Sequence, residues 1–369
     1  MYEHDNRVVM TLDAGGTNFV FSAIKGCVSV VEPVCLPSVP DDLNSCLATL
    51  VDGFRRVREA LTEEPVAISF AFPGPADYRH GVIGDLPNFP AFRGGVAMGP
   101  FLEAQFGIPV FINNDGNLFA YGEALAGILP QINSELEAAG NVKRYKNLLG
   151  ITLGTGFGAG VVIDNRLLTG DNGCGGDVWL MRNKKYPDLL AEESVSIRAV
   201  RRMYGDYAGV DAGALTPKEV FDIAEGVREG NREAAWRCFD ELGEMAGAAM
   251  VSALNMVDGM VVIGGGVSGA AKYILPGMLR EMRRSLSTFA GDSFPCLQME
   301  VYNLTDEKEH AAFLQSTAVR VAVPATDKTV CYDCNKRIGV ALSALGANKA
   351  IALGAYAFAL QQIDEGRKK

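Results

Sequence analysis

Three histidines, His4, His80 and His310, are all that 369 residues contain. Zinc sites draw on clustered His and Cys, so this poverty argues against a metal centre of that kind. The one close cysteine pair, Cys331-Tyr332-Asp333-Cys334, lacks the second pair a zinc site needs and reads as an incidental turn. The other cysteines are scattered, which fits a reduced, cytoplasmic setting better than a disulfide scaffold. Positive charge is also short: 34 Lys and Arg face 44 Asp and Glu, a net charge of −10 with pI near 5.0. Phosphate backbones need clustered cations, so nucleic acid is not an expected partner. No apolar run reaches the roughly 18 residues of a membrane span, and even the greasy stretch around Met250 is broken by Asp258. The polar start, Met1 to Arg7, has no signal-peptide pattern. No Ser- or Pro-rich linker appears, so domains would abut along a cleft, with a hinge near Asn114 to Tyr121.

What is present points to two domains. The length exceeds one ordinary core, and 48% hydrophobic residues suffice to fill two. Two stretches share one plan, Val8 to Phe21 around Asp13-Ala14-Gly15-Gly16-Thr17, and Leu148 to Ile163 around Gly154-Thr155-Gly156-Phe157-Gly158-Ala159-Gly160. In each, a Thr-Leu strand enters a glycine-rich turn and a β-branched run follows. Aligning Thr11-Leu12 with Thr152-Leu153 puts Gly15 on Gly156 and Thr17 on Gly158. Glycines allow φ > 0 and remove the Cβ, so successive N–H groups can line an anion-binding concavity. One such hairpin is also a plain tight turn. Two copies about 140 residues apart suggest a duplicated domain whose halves each cradle phosphate.

Between the hairpins, Asp41 or Asp42 caps a helix whose apolar face runs Leu43, Leu47, Leu50, Phe54, Val57 and Leu61. Val66 to Phe72 reads as a buried strand stopped by Pro73-Gly74-Pro75. A loop to about Pro100, a short helix from Phe101 to Phe106, a strand from Val110 to Asn113 and a helix from Gly116 to Gly127 follow. Strands alternating with helices imply a covered sheet. In the second half, helices are expected from about Pro217 to Val257, with Trp236, Phe239, Leu242, Met245, Ala249 and Ala253 as a core stripe. The strand Met260 to Ile263 runs into Gly264-Gly265-Gly266, a strand-to-helix turn suited to an adenosine or α-phosphate. Ala350 to Gln361 reads as an Ala-rich helix, and Thr305 to His310 as a surface loop.

Two carboxylates stand where chemistry needs them. Asp13 ends a strand beside Gly15, Gly16 and Thr17, where it can face a magnesium-bound phosphate chain or merely bond its own turn. Asp115, in Asn113-Asn114-Asp115-Gly116-Asn117, follows another strand. It suits a general base facing a hydroxyl, though either Asn114 or Asp115 also suits a helix cap. Glu123, on the helix behind them, reads as a solvated charge.

Taken in order, these motifs resemble the ROK family (repressors, open reading frames and kinases) of sugar kinases, within the actin-like ATPases. Asp13 to Thr17 and Gly154 to Gly160 resemble its two phosphate motifs, and Ile263-Gly264-Gly265-Gly266-Val267 its adenosine motif. Phe72 to Asp77 and Leu86-Pro87-Asn88 are similar to its sugar-side loops. Leu345 to Tyr356 is similar to its closing segment. The resemblance implies a two-domain, ribonuclease H-like duplicated α/β fold with mixed sheets and an interdomain cleft. It places a smaller domain at 1–116, with 355–369 packing on it, and a larger one at 117–354. It implies ATP-dependent phosphorylation of a hexose 6-hydroxyl, of the glucokinase or hexokinase type, with Asp115 as base. Gly74, Asn88, Asn114, Asp115, Asp177 and Glu192 would bind the sugar, with Glu193 a close competitor. Asp13, Gly15, Gly16, Thr17, Gly154, Thr155, Gly156, Gly158, Gly264, Gly265 and Gly266 would bind nucleotide, and Asp13 would hold Mg2+ through water.

The chain also departs from the pattern. Asp177 and Leu180 stand where the family has Glu and His, and Met181 to Tyr186 replaces its zinc-binding cysteines, so no structural zinc is expected. An N-acetylhexosamine or mannose kinase is the alternative of the same family. A non-catalytic sugar-sensing regulator is the rival, disfavoured because only seven residues precede the first strand. An actin- or chaperone-type ATPase would not need Asn114-Asp115. Dimers are common in the family, and a homodimer is expected.

Overall fold

The computed structural model of the chain describes residues 2–15, 17–86 and 89–366. Its contacts group into two compact units. One comprises Met1–Gly127, Gly160–Gly176 and Leu345–Lys369, and the other Ile128–Ala159 and Asp177–Ala344.

The first unit starts with the glycine hairpin. Strand β1 (Val9–Ala14) pairs antiparallel with β2 (Asn18–Lys25), Leu12 opposite Phe21. Helix α1 (Leu43–Ala60) is capped by Asp42, whose Oδ1 accepts the Ser45 N–H at 2.6 Å. Its buried residues Cys46, Leu50, Phe54 and Val57 recur at helical spacing and meet an aromatic core that includes Phe19, Phe21 and Phe70. Strands β3 (Ala67–Ala71) and β4 (Val110–Asn113) extend the sheet in parallel, giving the order Val28–Ser29, β2, β1, β3, β4, with Val34–Pro37 also on β2. Helix α2 (Asp115–Ala126) leaves the end of β4.

The second hairpin is β5 (Leu148–Leu153) and β6 (Phe157–Ile163). The 26-residue helix α3 (Arg232–Val257), strand β7 (Met260–Gly264), helix α4 (Ala271–Met282) and strand β8 (Arg337–Leu342) follow. The second sheet runs Arg166–Leu167, β6, β5, β7, β8, Glu300–Asn303, with β7 parallel to both β5 and β8. Gly243 on α3 and Gly277 on α4 let these helices touch, since a Cβ on either would overlap a carbonyl of the other helix. Helix α5 (Ala347–Asp364) belongs to the first unit and packs on α2 by the same device, Gly122 against the Ala350 carbonyl and Gly354 against that of Leu118.

The 217–257 region is helical as expected, in two helices, Pro217–Glu225 and α3, with Gly226 ending the first in a left-handed turn at φ 76°. Two local expectations change. Trp236 is on the expected stripe yet 47% exposed, its indole N–H donating to the Ala224 carbonyl at 3.2 Å. Residues 305–310 are not a plain loop: Asp306 caps a helix, Glu307–Leu314.

Candidate functional site

Helix α2 begins where β4 ends, and its first turn is built from amides. Asn114 is extended (φ −72°, ψ 148°), the conformation of a cap, and its Oδ1 accepts the Gly116 N–H at 2.8 Å. Asn113 Oδ1 accepts from the Asn114 N–H at 2.8 Å and from Asn117 Nδ2 at 3.0 Å. Capping thus falls to Asn114. Among the described residues, the Asp115 carboxylate accepts only from backbone N–H groups, that of Gly116 at 2.8 Å and its own.

Solvent touches Asp115, which is exposed by surface area, but protein atoms crowd the rest of the side chain. For proton affinity the crowding decides. Desolvation pushes its carboxyl above the usual value of 3.8, and the two backbone hydrogen bonds pull it down without cancelling the rise.

Gly74 lies in the exposed loop after β3, where a Cβ would sit 3.1 Å from the Tyr78 hydroxyl. That hydroxyl donates to the Phe72 carbonyl at 2.9 Å, tying the loop to the strand end. Asn88 and Gly16 lie outside the described residues.

Asp13 is exposed near the end of β1, and Asn348 of α5 donates Nδ2 to its Oδ2 at 3.4 Å. Thr17 is exposed beyond the turn. A Cβ on Gly15 would stand 2.8 Å from the Asn18 carbonyl oxygen. Gly15, Gly154, Gly156 and Gly158 all have ordinary φ, and close approach demands the missing Cβ at Gly15 and Gly156, whereas Gly154 faces open space.

In the second unit the Gly154 N–H reaches the Gly156 carbonyl at 3.1 Å, and Thr155 projects to solvent between them. Glu192 docks onto this turn. Its Oε2 accepts the Phe157 N–H at 3.0 Å, in space a Gly156 Cβ would occupy, and its Oε1 accepts from Arg198 at 2.9 Å. Arg198 also holds Glu193 at 2.7 Å. Asp177 is exposed before the short 3-10 turn Val178–Leu180, and Leu180 is 51% exposed. The third glycine motif closes β7. Gly265 takes φ 89°, and a Cβ there would overlap the Leu153 carbonyl. Ser268 Oγ donates to the Gly265 carbonyl at 2.6 Å, while Gly266 faces open space.

Within the first unit the fold therefore gathers Asn113, Asn114, Asp115 and Asn117, and separately pairs Asp13 with Asn348. Within the second it joins Glu192 to Gly156 and Phe157. Asn117, Asn348 and Arg198 were not singled out from the sequence. Asn117 and Asn348 carried a signal, the first inside the run 113–117 and the second inside the closing segment 345–356. Glu123 corrects its reading as a solvated charge: it is fully buried, and its Oε1 accepts the Leu345 N–H at 3.2 Å.

Among the described residues no three His, Cys, Asp or Glu gather as a metal-binding group. A lone exposed Asp13 beside a glycine turn still fits Mg2+, which is commonly held by one or two carboxylates with waters and substrate phosphates. No described helix is long and apolar enough to cross a membrane.

Two mixed sheets, each led by a glycine hairpin, with a third glycine turn after β7, are the arrangement of the actin-like fold. The family model described as the ROK family matches residues 9–313, and the chain belongs to that family. It is similar to the crystal structure of a glucokinase from Parabacteroides distasonis, 63% identical with a TM-score of 0.90, covering 98% of this chain and 99% of that one. It is 29% identical to a glucokinase of Thermotoga maritima over 73% of this chain and 85% of the relative. An N-acetyl-D-glucosamine kinase of Photobacterium profundum is 27% identical, over 69% and 83%.

Proposed function

We propose that the chain transfers the γ-phosphoryl group of ATP to the 6-hydroxyl of a hexose, with glucose the first candidate and Asp115 the general base. The observation that carries this reading is Asp115 itself: a carboxylate at a helix start, relieved of capping by Asn114, with its proton affinity raised by burial. As the sugar oxygen bonds to the γ-phosphorus and the bond to the departing ADP oxygen breaks, Asp115 takes the hydroxyl proton. Gly74, Asn88, Asn114, Asp177 and Glu192 hold the remaining hydroxyls. A carboxylate oxygen has lone pairs to spare, so Glu192 can accept from a sugar hydroxyl while keeping Phe157. Gly15, Gly16 and Thr17, with Gly154 to Gly158, would bind the phosphates, and Gly264 to Gly266 the adenosine. Asp13 would hold magnesium, which would supply charge neutralisation on the phosphoryl oxygens.

Glucose is favoured by the similar glucokinases of P. distasonis and T. maritima. An N-acetylhexosamine is the second reading, supported by the similar N-acetyl-D-glucosamine kinase and by Leu180, an exposed apolar side chain where the family has His. Mannose belongs with it as an acceptor, and a non-catalytic sugar sensor is the outcome if no acceptor is used. A cytoplasmic setting and a homodimer go with the same family resemblance.

A coupled ADP-release screen over glucose, mannose, fructose, N-acetylglucosamine and N-acetylmannosamine tests the acceptor. Asp115→Asn is expected to lower kcat by about 10²–10⁴ while leaving sugar affinity near wild type. Turnover like the wild type's would remove Asp115 as the base. Because the base works deprotonated, kcat/KM should rise as pH climbs through a limb above 3.8, and this limb should vanish in Asp115→Asn.

A further inference from the structure

A cavity of about 930 Å3 lies wholly within the first unit, along the outer edge of β4. The Pro109 and Asn113 carbonyls accept from Ile68 and Phe72 N–H groups across to β3. By the alternation of a parallel strand, the N–H and C=O of Ile112 point the other way, toward this cavity. Neither Asn114 nor Asp115 lines it, but Asn113 and Asn117, which flank them, both do.

Asn117 is the residue that needs explaining. It is only 4% exposed, its Nδ2 is spent on Asn113, and its Oδ1 is buried with no hydrogen-bond partner among the described residues. Leaving such an acceptor unmet costs about 1–3 kcal/mol. The opposite walls offer a hydroxyl at Thr169, an amide at Gln362 and an aromatic face at Phe358. The charged members of the lining largely cancel. Asp77 holds His80 at 2.7 Å, and Glu365 faces Arg166 at 3.3 Å.

We propose that this cavity is a second ligand site, for a neutral polyhydroxylated molecule of hexose to disaccharide size, one hydroxyl of which donates to Asn117 Oδ1. Amides, a hydroxyl, an aromatic face and an outward strand edge recognise hydroxyl groups and sugar C–H faces. Balanced charge gives an ion no advantage over them. The volume lies within the range of about 300–1,000 Å3 typical of small-molecule sites. Asn117 also holds Asn113, and Asn113 holds the Asn114 N–H, so an occupant stiffens the turn that carries Asp115. What that stiffening does for Asp115 rests on the kinase reading; the binding itself does not.

The test is calorimetric titration of the full chain with glucose and, separately, maltose. Gln362→Trp fills the cavity from a half-buried helix position, and Thr169→Trp fills it from the facing loop, so one misfolded variant does not end the test. Wild type is expected to bind two glucose per chain, and either filled variant one, with kcat at saturating substrate within about twofold. A wild-type stoichiometry of one or none that both variants leave unchanged overturns the second site. So does a glucose-soaked crystal with only water at Asn117 Oδ1. If the kinase reading alone fails, no ADP is released, yet one glucose still binds and is lost in the filled variants.

Discussion

The two glycine hairpins share a backbone and differ in the source of their carboxylate. In the first, Asp13 stands in β1 itself, exposed, with a long contact from Asn348. The aligned position in the second is Gly154, and the acid comes instead from Glu192, 35 residues beyond Phe157. Asp13 is left available to a cation. Glu192 is satisfied by a backbone N–H and by Arg198, so its charge does not stand bare beside an anion-binding turn. A duplicated scaffold thus keeps its turn geometry, which depends on absent Cβ atoms, while the charge is free to be reassigned.

Asp13→Asn should break this asymmetry most visibly. Turnover measured by ADP release is expected to fall by about 10²–10³, with the melting temperature unchanged because the side chain is exposed. Retained turnover would make the first hairpin as electrostatically silent as the second.

Gly15→Ala should cost about 1–3 kcal/mol, because the obstacle is the Asn18 backbone carbonyl and the turn must move. Gly156→Ala should cost less, since what it meets is the Glu192 carboxylate, which can swing aside. Urea denaturation of both variants decides the matter, and equal losses would mean that Glu192 is as fixed as backbone.

The smallest effect belongs to Glu192→Ala. Removing a charge-assisted acceptor from the Phe157 N–H at a side chain 20% exposed should cost about 1–2 kcal/mol. Glu192→Gln, which keeps an acceptor, should cost less than half of that. If the two are equal, the bond to Phe157 contributes nothing measurable.

Legibility from the sequence followed the range of the interaction. The hairpins, the Asp42 cap, the buried strands and the glycine turn after β7 depend on residues within a few positions, and each is present. Trp236 shows where periodicity stops: spacing names a helical face but not how far a neighbour covers it, and this indole stays 47% exposed. Glu123 shows the converse. Its charge reads as solvent-facing, yet an N–H from Leu345, 222 residues away, makes burial tolerable.

By itself, then, the amino-acid order determined the doubled α/β plan, the family, and the positions of Asp13 and Asp115 at strand ends. These follow from local patterns of apolar residues, caps and glycines. Only the tertiary structure decided that Asn114 takes the capping role, that Glu192 lies on the second hairpin, and that Asn117 faces a cavity with an unmet acceptor. Each of those depends on how a side chain's hydrogen-bonding groups are shared out in three dimensions, and no spacing along the chain specifies that division.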